Sequence, residues 1–319
     1  MKIIDMHCDT IKECFLRKEN LRNNSLCVDL EKMKKNNGAA QFFAVWLSMP
    51  KNRTERAEEE KSLYELFFDI ADFYDDEMEK NKDLIRKVLS YQDLENNLKE
   101  GSMSSVLTLE DGYILEGEIE RLDRLYERDV RLLTLTWNHE NCIGFPNSVN
   151  REDHMKGLKP FGIEVVEKIN EKGMIADVSH LSEGGFYDVA RHSTKPFVAS
   201  HSCARALRDH PRNLTDDQLR CIAGHGGVAG VNFYAPFLKE NSDSTFVSDI
   251  IRHVEYMVNK AGEDHVALGA DLDGMDSKLE GSGYGCYGPV ARKLEEIFSP
   301  RVAEKICYKN AIRVLKDCL

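Results

Sequence analysis

The amino-acid sequence predicts a (β/α)8 barrel of the TIM type, and three observations carry that prediction. Eight apolar, strand-like runs recur along the 319 residues, helical patterns separate them, and five of the runs deliver an imidazole or a carboxylate at their carboxyl ends. Alternating strands and helices imply parallel strands with right-handed crossovers. Functional groups gathered at one end of such strands belong on the top face of this barrel.

The runs fall at 3–9, 39–48, 104–111, 130–138, 174–180, 196–202, 227–234 and 265–273. The first, Ile3-Ile4-Asp5-Met6, leads into His7-Cys8-Asp9, and the third ends in Glu110. The fifth ends in His180, the sixth in His201 and the eighth in Asp271. The stretch 49–103 is longer than one barrel helix needs and reads as an extra helical segment between strands 2 and 3, not as a second domain. Within it Leu63, Leu66, Phe67, Ile70 and Phe73 recur at helical spacing and mark one buried face. Thr215 and Gln218 form a capping box for a helix running to Ala223, with Gly224 placed to end it. Ser299-Pro300 opens the last helix, where a missing amide hydrogen costs nothing. The glycine-rich run from Gly281 to Pro289 lacks the Gly-Lys-Ser/Thr ending of a phosphate loop and reads as a flexible loop over the top face. The whole of 1–319 is therefore expected to be one barrel domain.

Bulk properties remove several function classes. A net charge of −12 and a pI near 5.4 argue against nucleic acid or an anionic membrane as partner. Nine cysteines with no Cys-x-x-Cys pair suggest neither a disulfide framework nor a zinc ribbon, which fits a reducing compartment. No apolar stretch of signal-peptide or membrane-spanning length is present, so a soluble, cytoplasmic protein is expected.

The chemistry lies in the strand ends. His7 and Asp9 are two apart, so on a strand both face one side and could bind one metal. The plainer alternative is a buried histidine followed by a helix-capping aspartate. A carboxylate such as Glu110 closing an apolar strand is costly unless a cation or salt bridge neutralises it. His180 and His201 end adjacent strands, and neutral imidazoles suit zinc; a carboxylate reaching both sites would complete a two-metal centre. Asp271, with Asp273 on the same face, is placed to act as an acid/base. Arg212 is either a solvated surface charge or a planar clamp for a substrate carboxylate. The other histidines (154, 192, 210, 225, 253 and 265) are assigned no role, and Cys8 and Cys203 are read as packing residues.

The segments DMHCDT, LTLED, LTLTWN, GLKPFGIEVVEKIN with GMIADVSHLS, PFVASHS, HPRNLTDD, GVAGVNFY, GADLDG and KNAIRVL, in this order, resemble the membrane dipeptidase (renal dipeptidase) family over nearly the whole chain. The resemblance implies a dipeptidase with two Zn2+ per subunit, in which His7 and Asp9 bind one ion, His180 and His201 the other, and Glu110 bridges. It implies Asp271 as catalytic acid/base, Arg212 as holder of the substrate carboxylate, and Asn232 and Tyr234 as further substrate contacts. Hydrolysis would run through a metal-bridging hydroxide on dipeptides, including those with a D residue at the carboxyl position. A homodimer is implied too. Many relatives carry a substrate-contacting histidine directly after LTLT, where this chain has Trp137; His139, of the same strand parity, is the candidate replacement. The same barrel also hosts deaminases, lactonases and other amide hydrolases. Those typically show His-x-His on the first strand or a lysine ending the fourth, and this chain has neither. A zinc-stabilised binding protein would need neither Asp271 nor Arg212.

Overall fold

The computed structural model describes residues 1–47 and 62–319. Eight parallel strands form the barrel: β1 (Ile3–Cys8), β2 (Gly38–Trp46), β3 (Met103–Glu110), β4 (Val130–Thr134), β5 (Ile175–Asp177), β6 (Val198–Ala199), β7 (Val228–Val231) and β8 (Val266–Leu268). Each pairs with the next, and β8 returns to β1 through Asp5 opposite Leu268, which closes the sheet. One apolar cluster includes Ile4, Phe42, Val106, Leu132, Ile175, Val198, Val228 and Ala267, at least one residue from every strand. Only the interior of a closed barrel can collect such a set, so the interior is filled and the site must sit above it. A second, larger cluster packs the outer faces of the strands against the helices.

The later strands are shorter than their apolar runs. The chain leaves the ladder after Asp177, Ala199 and Leu268, and His180, Asp271 and Asp273 take left-handed backbone with φ of 69°, 66° and 66°. Side-chain carboxylates replace the missing ladder partners. Asp177 Oδ1 accepts from the amides of Ser179 and Ser200 (2.9 and 2.8 Å), and Asp5 Oδ1 accepts from that of Ala270 (2.9 Å). His180 and His201 therefore sit on turns just above the strands, whereas Asp271 still donates its amide to the His7 carbonyl and is followed by a bridge from Leu272 to Cys8.

The segment between β2 and β3 holds the helices Leu63–Lys80 and Tyr91–Glu100, each opened by a capping box (Ser62 with Glu65, Ser90 with Asp93). Between them Ile85–Lys87 adds an unforeseen strand to the outer edge of β3. Residues 49–61 of the predicted insertion lie outside the described residues. The Thr215 capping box is present, but its helix includes Gly224 and the left-handed residue is Gly226. The run 281–289 is not a flexible loop: it forms a 3-10 turn and the start of helix Tyr287–Ile297, with Tyr284 and Tyr287 fully buried. Its two tyrosines are anchors that turn composition alone conceals. Ser299 caps the helix that Pro300 starts, and a π-helical turn at Lys305–Lys309 precedes the final helix Asn310–Cys318. No helix among the described residues is long and apolar enough to cross a membrane.

Candidate active site

His7 sits near the end of β1 and is fully buried, with neither ring nitrogen hydrogen-bonded among the described residues. Asp9 occupies the N-cap position of helix Thr10–Arg17 but makes no side-chain cap bond. Its carboxylate turns inward instead, with Oδ2 3.6 Å from His7 Nε2 and Oδ1 without a hydrogen-bond partner among the described residues. Glu110 ends β3 between two groups of imidazoles. Its Oε2 lies 3.4 Å from His7 Nε2, while Oε1 lies 3.1 Å from His180 Nε2 and 3.5 Å from His201 Nε2. Asp111 points away and accepts from the Tyr113 amide and from Asn141 Nδ2. The fold thus brings all five predicted ligands to one point.

Hydrogen bonds fix the two outer histidines. Asp177 accepts the hydroxyls of Thr134 and Ser200, both at 2.6 Å. Because a carboxylate can only accept, the single Ser200 proton is committed to Asp177, so His201 Nδ1, 2.7 Å from Ser200 Oγ, must donate. Nε2 of His201 then keeps its lone pair toward Glu110 and His180. Asn138 Oδ1 stands 2.9 Å from His180 Nδ1 and sets the same tautomer there. Asp177, Ser200 and Asn138 were not picked out from the sequence. The available signal was polar residues next to predicted ligands within apolar strand ends, a pattern common to metal sites.

Three carboxylates and three imidazoles share this buried volume, and their protonation is strongly displaced. Burial works against charge on His7, yet Glu110 and Asp9 outweigh it and hold its pKa well above the usual imidazole range. Burial, then the charge of His7, holds His201 well below that range. Burial and Arg212 push His180 down to about 4. Glu110 stays well below ordinary carboxylates despite its burial, chiefly because the charge of His7 favours its ionised form. Asp271 is raised to about 7, chiefly by burial, with Asp9 and Glu110 adding to the rise.

The donor set fits divalent metal. Ligating atoms of His7, Glu110 and His201, and of His7, Asp9 and Asp271, form two groups within 4.8 Å. Unpartnered Asp9 Oδ1 and the ring nitrogens of His7 would leave buried polar atoms orphaned without a cation. Nitrogen and carboxylate donors suit zinc. The backbone makes room for the group: a Cβ at Gly274 would stand 2.0 Å from Asp9 Oδ2 and 2.6 Å from Asp271 Oδ1.

Above the cluster opens a cavity of about 470 Å³, lined by Asp9, Glu110, His180, Asp271, Trp46, Trp137, Asn138, Tyr234 and Phe237 among others. Asp271 Oδ1 lies 3.8 Å from His7 Nε2, and its Oδ2 accepts from Asn232 Nδ2 at 3.1 Å. Asn232 Oδ1 accepts from the Tyr234 amide at 2.6 Å, so both ends of this amide are held by the protein. Asp273 also borders the cavity, but its carboxylate is engaged elsewhere, anchoring Thr10 Oγ1 (2.6 Å) and the amides of Cys27 and Val28. Arg212 is buried, not solvated: Nη1 donates to Ser202 Oγ and Nη2 to the His201 carbonyl, Phe237 lies 5.2 Å below the guanidinium, and Nε has no partner among the described residues. His139 is exposed on the loop after β4, 5.6 Å from the Trp137 ring, and is not among the residues lining the cavity.

A parallel barrel with a histidine–carboxylate cluster above its strand ends defines a metal-dependent hydrolase. The chain belongs to the membrane dipeptidase family (peptidase family M19), whose sequence profile matches residues 1–318, and is a metallo-dipeptidase. An uncharacterized protein of the pqqA 5′ region of Klebsiella pneumoniae is 37% identical over 246 residues, covering 73% of this chain and 89% of its own length. Dipeptidase tcpJ of Claviceps purpurea is 29% identical over 294 residues, covering 91% of this chain and 69% of its own. A metallo peptidase of Rhodobacter sphaeroides, solved with a phosphinate mimic of the dipeptide L-Ala-D-Ala, superposes with a TM-score of 0.89 at 23% identity, covering 100% of this chain and 99% of its own. At that identity the likeness shows the fold.

Proposed function

We propose that this enzyme hydrolyses dipeptides with two zinc ions, His7 and Asp9 holding one, His180 and His201 the other, and Glu110 both. The observation that carries this reading is the split of the Glu110 carboxylate, one oxygen toward His7 and the other toward His180 and His201. Bound zinc supplies Lewis-acid polarisation of a carbonyl and lowers the pKa of water from ~15.7 toward ~7.

The chain's own residues do the rest. Asp271, raised by burial and aimed by Asn232, accepts the proton of the attacking water and returns it to the leaving amine. Asn232 therefore acts on the substrate through Asp271. Arg212 offers its fork to the carboxyl terminus, and the position of that charge at a fixed depth would favour dipeptides over longer chains. Tyr234 and Phe237 flank this end. Trp137 lines the cavity, and His139 is assigned no contact with substrate. The neighbour's L-Ala-D-Ala mimic supports acceptance of a D residue at the carboxyl position.

A panel of dipeptides with L or D carboxyl-terminal residues, their tripeptide extensions and their amides tests this reading on metal-loaded protein. Dipeptides should be cleaved, tripeptides and amides much less. Comparable rates on tripeptides would remove the length reading, and inactivity on every dipeptide would remove the function.

A further inference from the structure

The chain contains two tryptophans, and the fold brings both into the wall of the catalytic cavity. Trp46 is the last residue of β2, and Trp137 follows β4. Their ring centroids are 4.7 Å apart with the planes at 53°, so they form an open wedge and not a closed stack. Lys12 braces the pair, with Nζ 3.7 Å from the Trp46 ring centroid. An ammonium over an indole face holds the ring by cation–π attraction. Such a wedge presents two large apolar surfaces beside a cluster that is otherwise charged.

The barrel order assigns the wedge to one end of the substrate. Trp46 and Trp137 come from β2 and β4, on either side of β3 with Glu110. Arg212, Tyr234 and Asp271 follow β6, β7 and β8, across the barrel. A dipeptide with its carboxylate at Arg212 and its peptide bond over Glu110 extends its amino-terminal residue toward the indoles. We infer that Trp46 and Trp137 form the pocket for the side chain of the amino-terminal residue, and that the enzyme selects dipeptides with a large apolar, above all aromatic, residue there. This inference rests on the dipeptidase reading given above. Planar side chains suit a tilted pair because aromatic rings favour edge-to-face contact.

The test measures kcat/KM of the metal-loaded enzyme on Phe-Ala, Leu-Ala and Gly-Ala and on the reversed set Ala-Phe, Ala-Leu and Ala-Gly. Phe-Ala should exceed Gly-Ala by roughly 10–100-fold, the span that differential apolar burial in a pocket supplies. The reversed set should spread far less. Trp46→Ala and Trp137→Ala should each collapse the Phe-Ala to Gly-Ala ratio. A binding readout on the unaltered chain needs no variant to fold: a phosphinate analogue of Phe-Ala should shift tryptophan emission and lower its quenching by acrylamide. Equal kcat/KM across the amino-side set, a spread that follows the carboxyl-side residue, or unchanged emission on saturation with the analogue overturns the inference while leaving the dipeptidase reading intact. Inactivity on every dipeptide overturns both.

Discussion

Nδ1 of His201 donates to the Ser200 hydroxyl 2.7 Å away, and this single bond decides which face of the imidazole is available to a metal. The Ser200 hydroxyl in turn donates its hydrogen bond to Asp177 at 2.6 Å. Ser200→Ala should therefore lower zinc affinity about 10–100-fold, the usual effect of removing an outer partner of a metal-bound histidine. Competition against a chromogenic chelator measures it, and an unchanged affinity would show that the ring is oriented by packing alone.

Glu110 should serve both metal positions. Its oxygens lie 3.4 Å from His7 Nε2 and 3.1 Å from His180 Nε2. Glu110→Gln is expected to reduce zinc content from two ions per chain at both positions, since an amide is a poor bridge. Elemental analysis that finds both positions full, or only one depleted, removes Glu110 from the bridge.

Asp271→Asn should retain zinc and lose ~10²–10⁴-fold in turnover, the range for a general acid–base group. Asp273→Asn should instead lower the melting temperature, because that carboxylate ties Thr10, Cys27 and Val28 together. Near-normal turnover in zinc-replete Asp271→Asn protein would assign the proton transfer elsewhere.

Arg212→Ala is predicted to weaken dipeptide binding by about 1.5–3 kcal/mol, as for a lost hydrogen bond to a charged group. A dipeptide amide, with no carboxylate to hold, should suffer far less. Arg212 also braces Ser202 and the His201 carbonyl, so equal losses on both substrates would mark it as a scaffold residue.

Acid stability should depend on His253, which is fully buried away from the metal cluster. Its Nδ1 accepts from the Ala204 amide and its Nε2 donates to the Leu238 carbonyl. Burial pushes its pKa from 6.5 down to about 4. The unfolded chain therefore takes up the proton first as pH falls. The neutral ring's contribution is fully present above pH 6.5 and is lost as pH falls to about 4. At 1.36 kcal/mol per pKa unit this amounts to about 3 kcal/mol. His253→Gln, which does not titrate, should flatten melting temperature against pH across that window. An unaltered slope would assign the acid sensitivity to other groups.

Much of the site was legible in the sequence because residue type and strand spacing are local properties. His7, Asp9, Glu110, His180, His201 and Asp271 each stand at or just after an apolar run, and a barrel gathers such ends at one face. The backbone carrying three of them was not legible. His180 and His201 lie on turns held by the side chain of Asp177, and Asp271 follows an irregular strand end whose Ala270 amide is held by Asp5. Those bonds join residues far apart in sequence, and periodicity carries no trace of them. The burial of Arg212 was hidden for the same reason, since Phe237 and the His201 carbonyl reach it from other elements.

By itself the sequence determined the order of strands, the chemistry available at their ends and the acidic net charge. Those follow from apolar periodicity, side-chain type and net charge, which every chain carries before it folds. Pairing of the strands into a ring, β2 and β4 on β3 as well as β8 on β1, decided the rest. It placed Asp271 within 3.8 Å of His7, 264 positions away in the numbering, and set Trp46 and Trp137 against each other across β3. Contacts of that kind depend on register and barrel curvature, and only the assembled tertiary structure fixes them.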